Sequence, residues 1–144
     1  MKRFSVLMLV LTLGAVVFAQ GDVPAHHSAA PEKLVKLPPI LAGEQLLGPA
    51  FQHPTQKRAY EMASKVADVL YQQPCYCRCD RSVGHTSLRT CFETEHAAHC
   101  AACMREGIYT YLETKKGKTP AQIRAGIIKG EWENIDLETA YKLQ

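Results

Sequence analysis

The sequence predicts a mainly α fold: a small helical domain with a Cys-rich loop, preceded by a flexible tether. Three observations carry that prediction. Downstream of residue 54, apolar residues recur at three- and four-residue spacing. No segment shows the apolar–polar alternation of a half-buried strand. Prolines crowd into the stretch before residue 54, where they interrupt any helix.

The chain opens with Lys2 and Arg3, followed by an uncharged apolar run from Phe4 to Phe18 and the small-residue site Val17-Phe18-Ala19. This is the pattern of a secretory signal peptide over residues 1–19, cleaved after Ala19. The run is short for a membrane anchor, so no transmembrane segment is expected after cleavage, and the protein is expected to be exported, periplasmic or extracellular. Loss of Lys2 and Arg3 brings the formal charge from +3 to about +1. A nearly neutral surface offers no electrostatic footprint for nucleic acid.

Residues 20–53 read as the tether, mobile and dispensable for folding. Pro24, Pro31, Pro38, Pro39 and Pro49 punctuate it, and His26, His27 and His53 are expected to be solvated there. Leu34, Leu37, Leu41, Leu46 and Leu47 are too apolar for a pure linker, so part of it is expected to lie against the domain. The domain itself covers 54–144. Ala59, Ala63, Val66, Ala67 and Leu70 predict a helix from Pro54 to Gln73, ended by Pro74. Pro74 to Arg89 reads as a loop. A second helix is expected from about Thr94 to Lys116, with Gly117 as its C-terminal cap. Thr119-Pro120 announces a third, running to Lys129 and stopping at Gly130. Asp136 to Leu143 suggests a short last helix. Trp132 reads as a packing anchor, and Gly107 as a point of close approach.

The chemistry is concentrated between positions 75 and 103, where all six cysteines fall. Cys75, Cys77 and Cys79 alternate, so an extended loop would turn three sulfurs one way. On a helix Cys100 and Cys103 would share a face, with His96 and His99 each four residues ahead of one of them. His85 and Cys91 lie between the two halves. Thiolates and imidazoles suit zinc and Cu(I). The candidate ligands are therefore Cys75, Cys77, Cys79, His85, Cys91, His99, Cys100 and Cys103, and the candidate cofactor is zinc or Cu(I). Six thiols exceed one tetrahedral site and imply two metals, a multinuclear centre, or one metal beside a disulfide. Glu106 reads as a surface glutamate.

A second reading staples the domain with three disulfides, the default for thiols outside the cytoplasm. It would make the chain an interaction module with an envelope protein partner. C-x-C bridges close small, awkward rings, which weighs against it, and spacing alone leaves the two readings level. A thiol oxidoreductase fits less well, because its C-x-x-C belongs in a βαβ setting. Cys100-Ala101-Ala102-Cys103 is followed by Met104 where haem attachment needs histidine. The expectation is a binding protein and not an enzyme.

The run Pro74-Cys75-Tyr76-Cys77-Arg78-Cys79 resembles the exported bacterial proteins named for a PCYCGC motif. The resemblance continues through Gly84-His85, Cys91-Phe92, Cys100 to Cys103 and Gly117-Lys118, and covers roughly residues 54–130. It implies one shared Cys/His module and tips the balance towards metal. Members are often lipoproteins, but the cysteine that would carry the lipid is missing here, so no lipid anchor is carried over. Arg78 stands where the motif has glycine, which leaves that loop less backbone freedom.

Overall fold

The computed structural model describes residues 22–144, so the expected signal peptide lies outside the described residues. Among those described there are six α-helices and no strand: α1 (Pro54–Ser64), α2 (Ala67–Leu70), α3 (Cys79–Ser82), α4 (Leu88–Phe92), α5 (Ala101–Lys115) and α6 (Pro120–Ile128). Single 3₁₀ turns lie at Gly43–Leu47, Glu95–His99, Glu131–Asn134 and Ala140–Lys142. Among the described residues, no helix is long and apolar enough to cross a membrane.

Helix α1 begins with Pro54 in its first turn, and the Gln56 side chain reaches back to accept the His53 N–H at 2.8 Å. It buries Ala59, Tyr60, Met62 and Ala63 against α5, the longest helix. The single helix expected to Gln73 is instead broken. Val66, a β-branched residue, leaves helical dihedrals (φ −131°, ψ 30°), and α2 restarts after it. Neither glycine nor proline marks this break; burial of both Val66 and Leu70 in one core accompanies it. Phe51, Tyr60 and Phe92 form an edge-to-face series with Tyr60 in the middle, centroids 5.0 Å apart at each step.

Helix α6 starts as the sequence indicates. Thr119 accepts the Gln122 N–H, and Gln122 Oε1 accepts the Thr119 N–H at 2.9 Å. Gly117 and Gly130 take positive φ after α5 and α6, where a left-handed residue ends a helix without a Cβ clash. Trp132 is half-buried beside Ile123 and Ile127 and donates its indole N–H to the Ile127 carbonyl. The last helix expected from Asp136 is reduced to a turn: the Asp136 carboxylate takes the Glu138 N–H and the Thr139 hydroxyl, and only Ala140–Lys142 coils further.

The described part of the tether, 22–53, is not free of the domain. Pro24, Ile40, Leu46, Ala50 and Phe51 are buried, whereas Leu34 and Leu47 are exposed. Backbone bonds join Leu41 to Phe92 and His27 to Tyr71. His27 stacks flat on Tyr71 at 3.7 Å and so is not a solvated tether histidine. The apolar residues between the prolines gain more from burial than the segment gains from freedom.

Candidate metal centre

The cysteines are positioned by three separate elements. After α2, Pro74 leads into a tight turn in which the Arg78 N–H donates to the Cys75 carbonyl at 3.2 Å. Arg78 then adopts the left-handed conformation (φ 60°, ψ 27°), the one non-glycine residue with positive φ among those described. Cys79 opens α3. The loop is therefore a turn running into a helix rather than the extended loop that alternation implied. Its sulfurs still converge, because the turn folds Cys75 and Cys77 back towards each other. Leu88 donates its N–H to the Gln73 carbonyl, which sets α4 and Cys91 beside that turn.

The helix expected from Thr94 begins later. Thr94 does cap a turn, accepting the His96 N–H, but the turn is 3₁₀ and Cys100 becomes extended (φ −129°, ψ 110°). Helix α5 starts at Ala101, with Cys100 as its N-cap and Cys103 in its first turn. The expected pairings of His96 with Cys100 and His99 with Cys103 at helical spacing are lost. In return the amide end of α5 faces the cysteines, where it favours negative charge.

The sulfurs of Cys75 and Cys103 lie 3.3 Å apart, those of Cys75 and Cys77 3.3 Å, those of Cys77 and Cys103 3.5 Å, and those of Cys79 and Cys91 3.3 Å. Two thiolates on one tetrahedral ion stand about 3.8 Å apart, and a disulfide brings them to about 2.05 Å. The observed spacing is closer to the first, and all six cysteines are free thiols. Four-donor groups form at two places. Cys75, Cys77, Cys91 and Cys103 make one; Cys77, Cys79, Cys91 and His96 make the other; within each, all ligand atoms lie within 4.8 Å of one another.

His85 Nδ1 is 3.2 Å from Cys91 Sγ, and its ring meets that of His96 edge-on at 4.8 Å. Cys100 is half-buried at the start of α5 and lies outside both groups. His99 is exposed and also outside them, beside His96 on the rim of an open cleft of about 690 Å³. His96 thus occupies the place that the sequence assigned to His99. The break at Cys100 rotates the two histidines relative to α5, and no residue type announces it. Glu106 is fully buried rather than on the surface: its Oε1 accepts the Tyr76 N–H at 2.8 Å.

The thiols share protons unevenly. Bonds from Cys100, Cys103 and Cys75 hold Cys77 far below the usual thiol range. Bonds from Cys75 and Cys91 bring Cys79 down to about 4. Cys75 is driven upwards by donating to Cys103 and Cys77. Metal binding needs thiolates, and thiols in such mutual contact give up their protons as a set rather than singly. The donor set is five sulfurs and one imidazole, soft to borderline in character, and it fits a thiophilic ion.

A family model described as a protein of unknown function with PCYCGC motif matches residues 44–134, well over half of the chain. The chain belongs to the PCYCGC family. The matched region begins ten residues before α1 and so takes in the buried Leu46, Ala50 and Phe51. It holds every residue of the two donor groups. No curated protein and no solved structure matches the chain. In this PCYCGC protein the motif's glycine position is the left-handed Arg78, so a side-chain-bearing residue carries backbone strain at that turn.

Proposed function

We propose that this protein is an extracytoplasmic binding protein for a soft metal, zinc or Cu(I), serving structure, storage or delivery, and that it is not an enzyme. One observation carries this reading. Four thiols from three elements, Cys75 and Cys77 in the turn, Cys91 in α4 and Cys103 in α5, have their sulfurs within 4.8 Å of one another. Buried thiols gathered this tightly are stabilised by an ion that neutralises their charge. The apolar start of the sequence supports the location.

Mass spectrometry under native and denaturing conditions, combined with alkylation, tests the proposal. The protein as isolated carries zinc or copper, and its thiols resist alkylation until the metal is removed. Cys103→Ser lowers the metal content, while Cys100→Ser keeps it, because Cys103 belongs to a donor group and Cys100 lies outside both. A metal-free protein six hydrogens lighter than its reduced form would refute the proposal. That result would favour the disulfide-stapled module, for which Cys75–Cys103 and Cys79–Cys91, each at 3.3 Å, are the close pairs well separated in sequence; Cys75–Cys77 is as close but only two residues apart.

A further inference from the structure

We propose that the centre holds two divalent ions of the zinc type, bridged by the thiolates of Cys77 and Cys91. The inference rests on the metal-binding reading and adds the number of ions, their charge and the role of each donor. Two tetrahedral ions have eight coordination positions. The two donor groups contain six different residues, and Cys77 and Cys91 belong to both. Counting those two twice fills eight positions with no donor left over. Cys75 and Cys103 are then terminal ligands of one ion, and Cys79 and His96 of the other.

Charge selects the divalent state. Five thiolates facing two dications leave one net negative charge; two Cu(I) ions would leave three. Uncompensated charge in a buried site is expensive, and the cations around the cluster are engaged elsewhere. Arg78 and Arg81 are paired with Asp22, and Arg89 with Glu93 and Asp68. The amide end of α5, worth about half a positive charge, offsets part of a single negative charge and much less of three. His85 is assigned as a positioning residue: its Nδ1 stands 3.2 Å from the bridging Cys91 sulfur and its ring abuts His96. A bridging sulfur tolerates such a bond, and the contact fixes the imidazole that serves the second ion.

The test uses the full chain, reduced, stripped of metal and titrated anaerobically with zinc under native mass spectrometry, and in parallel with cobalt(II) under electron paramagnetic resonance. Two zinc ions are expected to bind. At two equivalents of cobalt the signal is expected to fall well below that of two isolated ions, because thiolate bridges couple their spins. The double variant Cys79→Ser/His96→Ala is expected to bind one zinc, with Cys75, Cys77, Cys91 and Cys103 intact. One zinc on the wild-type chain would overturn the two-ion centre and leave the metal reading standing. Two cobalt ions with additive signals would overturn the bridges. Displacement of zinc by a larger number of Cu(I) ions would overturn the divalent assignment. No uptake of zinc, cobalt or copper would remove both this inference and the reading beneath it. Because the cobalt measurement is made on the wild-type chain, a variant that fails to fold does not decide the matter.

Discussion

Glu106 Oε1 accepts the backbone N–H of Tyr76 at 2.8 Å, tying the cysteine turn to the second turn of α5 across thirty residues of sequence. The other oxygen, Oε2, is buried without a partner, and burial pushes the carboxyl up to about 8. Glu106→Ala removes the acceptor and is expected to cost about 1–3 kcal/mol in urea unfolding of the metal-free protein. Glu106→Gln keeps an oxygen for Tyr76 and removes the buried acid, so its stability near neutral pH should match or exceed that of the wild type. The folded carboxyl titrates above its ordinary value of 4.5, so the folded state holds the proton more tightly than the unfolded one. The stabilising contribution is complete below about 4.5, declines as pH rises, and is gone above about 8. The difference in stability between wild type and Glu106→Gln should shrink or invert across that window, and a difference independent of pH would refute this.

Gly107 is the point of close approach between α5 and α4. A Cβ there would lie 2.5 Å from Phe92 Cζ, and Phe92 is fully buried with its ring against Tyr60. Alanine favours a helix over glycine by about 1 kcal/mol, but the ring cannot retreat without disturbing the core. Gly107→Ala should therefore be less stable by about 1–3 kcal/mol. It should also weaken metal uptake, because Cys91 precedes Phe92. A more stable Gly107→Ala protein would show that the ring yields.

Arg78 offers a cleaner separation of backbone from side chain. Its guanidinium donates to the Asp22 carbonyl at 2.6 Å and lies over the Tyr76 ring. Both Arg78→Ala and Arg78→Gly lose these contacts, but only glycine relieves the left-handed backbone. Arg78→Gly should exceed Arg78→Ala in stability by about 1 kcal/mol, measured by thermal or urea unfolding. Equal stabilities would mean that the turn relaxes out of the left-handed region.

Phe51 tests whether the segment before α1 is part of the fold. It is buried and packs edge-on against Tyr60. Phe51→Ala should cost about 3–5 kcal/mol, and removal of residues 22–53 should lower the melting temperature by more than that single change does. An unchanged melting temperature after truncation would restore the segment to the status of a tether.

The helical class, the capped start of α6 at Thr119 and the glycine stops at 117 and 130 were legible because each depends on a few neighbouring residues. The chemistry of the centre was legible for a similar reason, since cysteine and histidine declare themselves by type. The choice between His96 and His99 was not. It turns on the extended backbone of Cys100, which no glycine or proline foretells and which tertiary packing sets. Glu106 was misread because carboxylates are rarely buried; only its bond to Tyr76 explains the exception. Arg78 in the glycine position did signal a constrained turn, and that turn is where φ becomes positive.

Both ends of the described chain are tied to the domain, the first at the cysteine turn and the last at α1. Asp22 pairs with Arg78 and Arg81, and the Ala25 N–H bonds to Asp80 around the cysteine turn. At the other end Arg58 grips the Leu143 carbonyl, and Ala140 is fully buried in the core. A polypeptide emerges from the ribosome with its N-terminus first, so every cysteine is out before Ala140, which completes the core. During that interval the thiols lack the burial that the finished fold gives Cys75, Cys79, Cys91 and Cys103. On the proposed metal-binding reading, the ion captured would thus depend on what surrounds the chain before it folds, as well as on the geometry it later acquires.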